Sequence, residues 1–237
     1  MNNWTCQTFS GDLDLQQMVG LIETSRSAPQ LSDYPRIADL YEMMNVPEIR
    51  SRTCLWQSVQ GSLLAYAITD PWNNLWFDLL PEFMETSIEN EIVQWGVSCL
   101  LNEVRKEGNP AEITLDTNCS SDNWKRIAML QRQGFTEKPL RTLQLICNLK
   151  DPLPSSELPP GFTLRTVRGE IEADALANLH RAAFGTDAMT AEYRASMMLV
   201  PGYEPDLDLL AVAPNGKLAA FCVCQVDPTS QGKEGFT

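Results

Sequence analysis

A chain of 237 residues, 43% of them hydrophobic, can bury the core of one or two domains, and general disorder is excluded. The net charge of −13 repels phosphate backbones and anionic lipid, which argues against nucleic-acid and membrane partners. Seven cysteines without ligand spacing and a single histidine exclude the usual metal sets. With no signal-peptide pattern and no run of ~18 apolar residues, a cytoplasmic protein with reduced thiols is expected.

In chain order, a strand at Thr5–Phe9 leads through Gly11 into a helix over Leu13–Thr24, whose Leu15, Met18, Val19 and Ile22 fall at helical spacing. A second helical stretch, Tyr34–Met44, ends before Pro47. Strands at Thr53–Val59 and Ser62–Thr69 flank Gln60-Gly61 as a hairpin, and a further strand, Leu75–Leu80, runs into Pro81. A long helix from about Ser87 to Lys106, a strand at Ala111–Asp116, a helix at Asn123–Gln133 closed by Gly134, and a last strand at Thr142–Asn148 complete the first half. That order predicts a mixed α/β (α+β) architecture.

The chain also resembles itself. The segment from Trp4 to Asp14 matches that from Phe162 to Glu172 in its leading aromatic, its threonines, its glycine and its acidic pair. Farther on, Gly61-Ser-Leu-Leu-Ala-Tyr-Ala-Ile68 answers Gly216-Lys-Leu-Ala-Ala-Phe-Cys-Val223. Two ordered matches at a similar offset indicate duplication of a domain. Between the copies, Lys150–Pro160 carries four prolines and reads as a semi-rigid linker. The expected division is residues 1–150, a linker at 151–160, and 161–237.

The element order, with Asn123 and Gly134-Phe135 spaced around a late helix, resembles the GCN5-related N-acetyltransferase (GNAT) superfamily. The opening of the second copy, Pro160-Gly-Phe-Thr-Leu-Arg165 and Leu179-His-Arg-Ala-Ala-Phe184, is similar to tandem members such as mycothiol synthase. The resemblance implies one full acyl-CoA N-acyltransferase fold followed by the N-terminal half of a second. It also implies acetyl-CoA as cofactor and a small-molecule amine as acceptor. Gly134-Phe135 equally suits a helix C-cap with an aromatic packing back on the core.

Family members hold the cofactor pyrophosphate on an Arg/Gln-x-x-Gly-x-Gly/Ala loop, where bare N–H groups at a helix N-terminus meet the anion. The corresponding segment, Pro81-Glu-Phe-Met-Glu-Thr-Ser-Ile-Glu-Asn-Glu91, has four glutamates and neither glycine, arginine nor lysine. Acidic residues in a first turn complement the helix dipole, with Thr86 or Ser87 as N-cap, and they compete with a phosphate. The cofactor contacts carried over by position are Phe77, Leu79, Met84, Glu85, Thr86, Ser87, Ile88 and Asn123. By the Gly61/Gly216 match, the second copy reaches only to about position 82 of the first, before its own loop. That suggests a truncated second domain with an unpaired strand edge at Leu207–Val226, available for self-association.

Asp78, on the strand before the loop, is the best-placed carboxylate for a general base, and a solvated strand residue is the alternative. Tyr66 and Tyr203 are possible acids or packing residues; Cys119 and the Cys222/Cys224 pair are nucleophiles only beside a base; His180 lies among helix apolar residues. Three readings stay open: an acetyltransferase, an inactive scaffold binding a partner or ligand, and a truncated product of a longer enzyme.

Overall fold

The computed structural model describes residues 3–27, 30, 33–107, 113–143, 145–152, 155–226 and 235–236. It divides into two compact units, at residues 1–136 and 137–237.

In the first unit the elements are β1 (Trp4–Thr8), α1 (Asp12–Ser25), α2 (Ile37–Met44), α3 (Pro47–Ser51), β2 (Thr53–Ser58), β3 (Leu63–Thr69), β4 (Leu75–Leu79), α4 (Ser87–Glu107) and α5 (Trp124–Arg132). The strands form an antiparallel sheet in the order β1-β2-β3-β4. Both faces are covered. On one, Met18, Ile22, Leu40 and Met44 of α1 and α2 pack on Leu55, Tyr66 and Ile68. On the other, Ile88, Ile92 and Val93 of α4 and Met129 of α5 pack on Trp56, Ala65, Ala67 and Phe77. Every residue of β3 is therefore buried, which is why its sequence, LLAYAIT, runs apolar rather than alternating.

Three local expectations are corrected. The helix expected from Tyr34 starts at Ile37, and Pro47, read as a terminator, opens α3 from its first helical position. Among the described residues of Thr142–Asn148 no strand forms, and Leu143, Leu145 and Ile146 are at least 79% exposed. Apolar spacing supplied a face there without a neighbouring ladder. Cys6 and Cys54, expected as thiols, are joined in a disulfide. Cys6 lies opposite Trp56 and Cys54 opposite Thr8, so the two are diagonal neighbours across β1 and β2. Of the strand expected at Ala111–Asp116, the first two residues lie outside the described ones; Asp116 makes a parallel bridge to Asn74.

The second unit contains β5 (Thr163–Thr166), α6 (Ala173–Phe184), α7 (Ala191–Met197), β6 (Tyr203–Val212), β7 (Leu218–Val226) and β8 (Gly235–Phe236), with the sheet order β5-β6-β7-β8. Helix α6 ends on Gly185 at φ 63, a left-handed cap suited to glycine. A small core joins Val167, Leu176 and Leu210, with Leu179, Met198 and Phe221 packed against it. β6 lies inside the sheet, and β8 pairs with β7 at Gln225 and Val226. The strands of this sheet, like those of the first unit, stand in chain order. No helix among the described residues is long and apolar enough to cross a membrane.

Candidate functional site

The C-terminal end of β4 and the turn into α4 bring most of the candidate residues together. Tyr66 and Asp78 face each other across β3 and β4, and the Tyr66 hydroxyl donates to Asp78 Oδ2 at 2.6 Å. Arg26, just past α1, donates from Nε to Asp78 Oδ1 at 3.0 Å and from Nη2 to Oδ2 at 2.7 Å. Its Nη1 donates to the carbonyls of Asp33 and Pro35, which ties the α1–α2 connection to the same group. Asp78 is 4% exposed, so it is a buried, paired carboxylate and not a solvated one.

The electrostatics follow from that burial. Desolvation would lower Arg26, but the charge and hydrogen bonds of Asp78 reverse this and raise it. Burial pushes the Tyr66 phenol well above its ordinary value, and the neighbouring Asp78 charge adds to the shift. A base must give up its partners to accept a proton, and Asp78 holds a bidentate guanidinium and a phenol.

A second arginine closes the neighbouring edge. Arg126 of α5 lies with its guanidinium carbon 4.0 Å from the centre of the Phe77 ring, and its Nη2 donates to the Phe77 carbonyl at 2.9 Å. Its Nε is buried without a hydrogen-bond partner among the described residues. Burial lowers this guanidinium below its ordinary value, with Asp78 opposing the shift and Arg26 adding to it. Asn123 caps α5, its side-chain oxygen accepting from the Arg126 backbone N–H at 3.2 Å.

At the turn, Pro81–Phe83 form a short 3-10 helix and Glu85 takes a left-handed φ of 62. The Glu85 backbone N–H donates to Glu89 Oε1 at 2.7 Å. Glu89 is 2% exposed and takes Arg132 Nη2 at 3.1 Å. The Thr86 hydroxyl donates back to the Phe83 carbonyl at 2.6 Å. Ile88 is in the core, Phe77 is 3% exposed, Met84 and Leu79 are half-buried, and Ser87 is exposed. A few residues on, Glu91 accepts the indole N–H groups of Trp4 and Trp56.

Sequence reasoning missed Arg26, Arg126 and the Glu89–Arg132 pair as parts of this site. For two of them a signal exists. Arg126 stands three and four residues before buried Met129 and Leu130, and Glu89 bears the same relation to Ile92 and Val93. A charge on the apolar stripe of a helix must find a buried partner. Arg26 carries no such local mark.

The other candidates lie elsewhere. His180 stacks on Phe221 and lies 4.5 Å from the ring of Phe184, and burial, then the Arg194 charge, lowers it. Tyr203 donates to Asp208 Oδ2 at 2.8 Å, and Arg194 pairs with the same carboxylate. Cys119 packs at the edge of the first unit's core. No cluster of three or more candidate metal ligands occurs among the described residues.

No family model and no curated protein matches the sequence. Among solved structures, a GCN5-related N-acetyltransferase from Sphaerobacter thermophilus aligns over 99% of this chain and 74% of its own, at 21% identity and a TM-score of 0.59. The chain has the GNAT fold. An aminoglycoside antibiotic 6'-N-acetyltransferase from Acinetobacter baumannii matches 62% of this chain and 99% of its own, at 15% identity and a TM-score of 0.40. A related structure, in complex with a bisubstrate analogue of CoA, matches 62% of this chain and 100% of its own, at 13% identity and a TM-score of 0.41. The shared GNAT fold rests on the first of these, which spans both units of the chain.

Proposed function

We propose that residues 3–136 are a GNAT-fold module that does not hold acetyl-CoA and serves as a ligand- or protein-binding scaffold. The observation that carries this reading is the Glu89 carboxylate, which takes the Glu85 N–H at the mouth of α4 where an anion would otherwise sit. A lone carboxylate about 5 Å from a phosphate repels it by roughly 3 kcal/mol at an effective dielectric near 20, and the Arg132 ion pair offsets part of that, so the occupied N–H counts for more than the charge. The Phe77 carbonyl, already occupied by Arg126, and Asp78, clamped by Arg26, support the same reading. Calorimetry of the full chain with acetyl-CoA tests it: no binding tighter than about 10 μM is expected, and tighter binding overturns it.

The second reading is acetyl transfer from acetyl-CoA to a small amine, with Asp78 as base. It is favoured by the 2.6 Å contact between Asp78 and the Tyr66 hydroxyl, a carboxylate and a proton donor side by side on the strand before the turn. Release of CoA thiol from acetyl-CoA across a panel of small amines tests it, and loss of that signal in Asp78→Asn would assign it to this unit. Self-association belongs to the scaffold reading only through β7 before Gln225, since β6 is interior, and light scattering across protein concentration tests it.

A further inference from the structure

The Cys6–Cys54 disulfide ties down a strand that the core holds weakly. β1 stands first in its sheet, and its ladder runs to β2. Thr5, Cys6, Gln7 and Thr8 are exposed, whereas Cys54 is 3% exposed. Two side-chain ties reinforce the ladder: the disulfide and the half-buried ring of Trp4.

Trp4 extends that attachment to the turn before α4. Its indole N–H donates to Glu91 Oε2 at 3.1 Å, beside the indole of Trp56, the residue opposite Cys6. Its ring stands edge-on to Phe83, with centroids 6.2 Å apart. Phe83 ends the 3-10 helix Pro81–Phe83, and the Thr86 hydroxyl is bonded to its carbonyl. The disulfide, β1 and the turn that carries Glu85 and Glu89 are therefore one connected set of contacts.

We propose that Cys6–Cys54 is a thiol-reducible clasp whose opening releases β1 and, through Trp4, loosens the Pro81–Glu91 turn. The proposal rests on the scaffold reading in one respect, that this turn is the binding corner being regulated. The reductant is a small thiol of the glutathione class. Its thiolate attacks Sγ of the exposed Cys6, the bond to Cys54 breaks, and Cys54 leaves with the bonding pair and takes up a proton. A second small thiolate attacks the small-molecule sulfur of the mixed disulfide, and Cys6 leaves and is protonated. The protein gains two electrons and two protons, and the two small thiols lose them as they join. The corresponding small disulfide reverses both steps. Once reduced, β1 keeps its ladder and one anchoring ring, and a segment with so little buried apolar surface opens locally more easily than the core. β3, buried along its whole length, opens only with the unit.

The test is amide hydrogen exchange of the full chain, read by mass spectrometry of its peptides, in oxidised glutathione and then in excess reduced glutathione. Peptide mapping of the oxidised sample should show Cys6 linked to Cys54. Reduction should then speed exchange in peptides spanning residues 3–10 and 81–91 at least about tenfold more than in the peptide of β3, because local release adds to any general loss of stability. In Cys6→Ser with Cys54→Ala the two glutathione states should exchange alike, which separates the effect from chemistry at the five other cysteines. Failure of the link to form, equal acceleration in all three peptides, or acceleration confined to residues 3–10 overturns the proposal. Both wild-type states are read without any substitution, so a poorly folding variant does not remove the test. No acetyl-CoA is present, so the outcome is independent of the calorimetry that tests the scaffold reading.

Discussion

Arg26 Nη2 stands 2.7 Å from Asp78 Oδ2, and neither side chain is more than 8% exposed. Removing one partner leaves the other charge buried and alone, so Arg26→Met should cost about 3–5 kcal/mol. Replacing both, as Arg26→Met with Asp78→Leu, should recover much of that loss. Urea unfolding of the two variants checks the difference, and equal losses would contradict a coupled pair.

Glu89 serves the turn as an acceptor and Arg132 as a charge. Glu89→Ala should destabilise the chain by about 1–2 kcal/mol, in the range of a lost N-terminal cap. Glu89→Gln keeps an acceptor for the Glu85 N–H and should cost less than the alanine change. Thermal unfolding ranks the two, and a reversed order would contradict the capping role.

Alkaline pH should loosen the fold through the phenols of Tyr66 and Tyr203. Burial first, then the hydrogen bond to Asp208, pushes Tyr203 up to about 12. Tyr66, which is fully buried, is raised as well, chiefly by burial. The neutral forms are the ones the fold favours, so this stability is complete below the unfolded value near 10 and is lost as pH rises through the folded values. Absorbance at about 295 nm against pH should show these phenols ionising late, together with unfolding.

The single histidine gives a cleaner readout at acid pH. Burial, then the Arg194 charge, depresses His180 below 6.5. Its neutral form is favoured in the fold, so its contribution is present above about pH 6.5 and falls away as pH drops through the depressed value. A proton NMR titration of the imidazole should place its midpoint below that of a free peptide histidine.

The Cys6–Cys54 disulfide closes a loop across a sequence separation of 48. Cys6→Ser should therefore lower stability by about 2–4 kcal/mol, chiefly by freeing the unfolded chain. Equilibrium unfolding of the wild type with and without reductant should show a loss of the same size.

Part of the fold was legible because two matching segments carry the same punctuation, Gly61 and Gly216 between paired strands. The hairpin at Gln60-Gly61 was read from its turn, whereas β1 reaches β2 only across three helices and its pairing carries no local signal. Side-chain partners were not legible. Asp78 reads as any polar strand residue until Arg26, 52 positions earlier, is brought to it by the packing of α1 on the sheet. The Cys6–Cys54 link depends likewise on the β1–β2 register, which spacing alone does not set. The apolar run at 142–148 misled for the opposite reason: its pattern is sound locally, and a strand exists only with a neighbour to bond.

Glu85 holds a φ of 62, a twist that costs an L-amino acid about 1–2 kcal/mol and a glycine almost nothing. The bend before α4 thus keeps a contour to which a residue without a side chain is better suited than its present occupant. Making a bare corner with open N–H groups would mean trimming Glu85 and Glu89 while leaving the main chain where it is. A corner in ordinary helical conformation would need rebuilding as well, so opening this turn to an anion by a pair of substitutions is a realistic engineering goal.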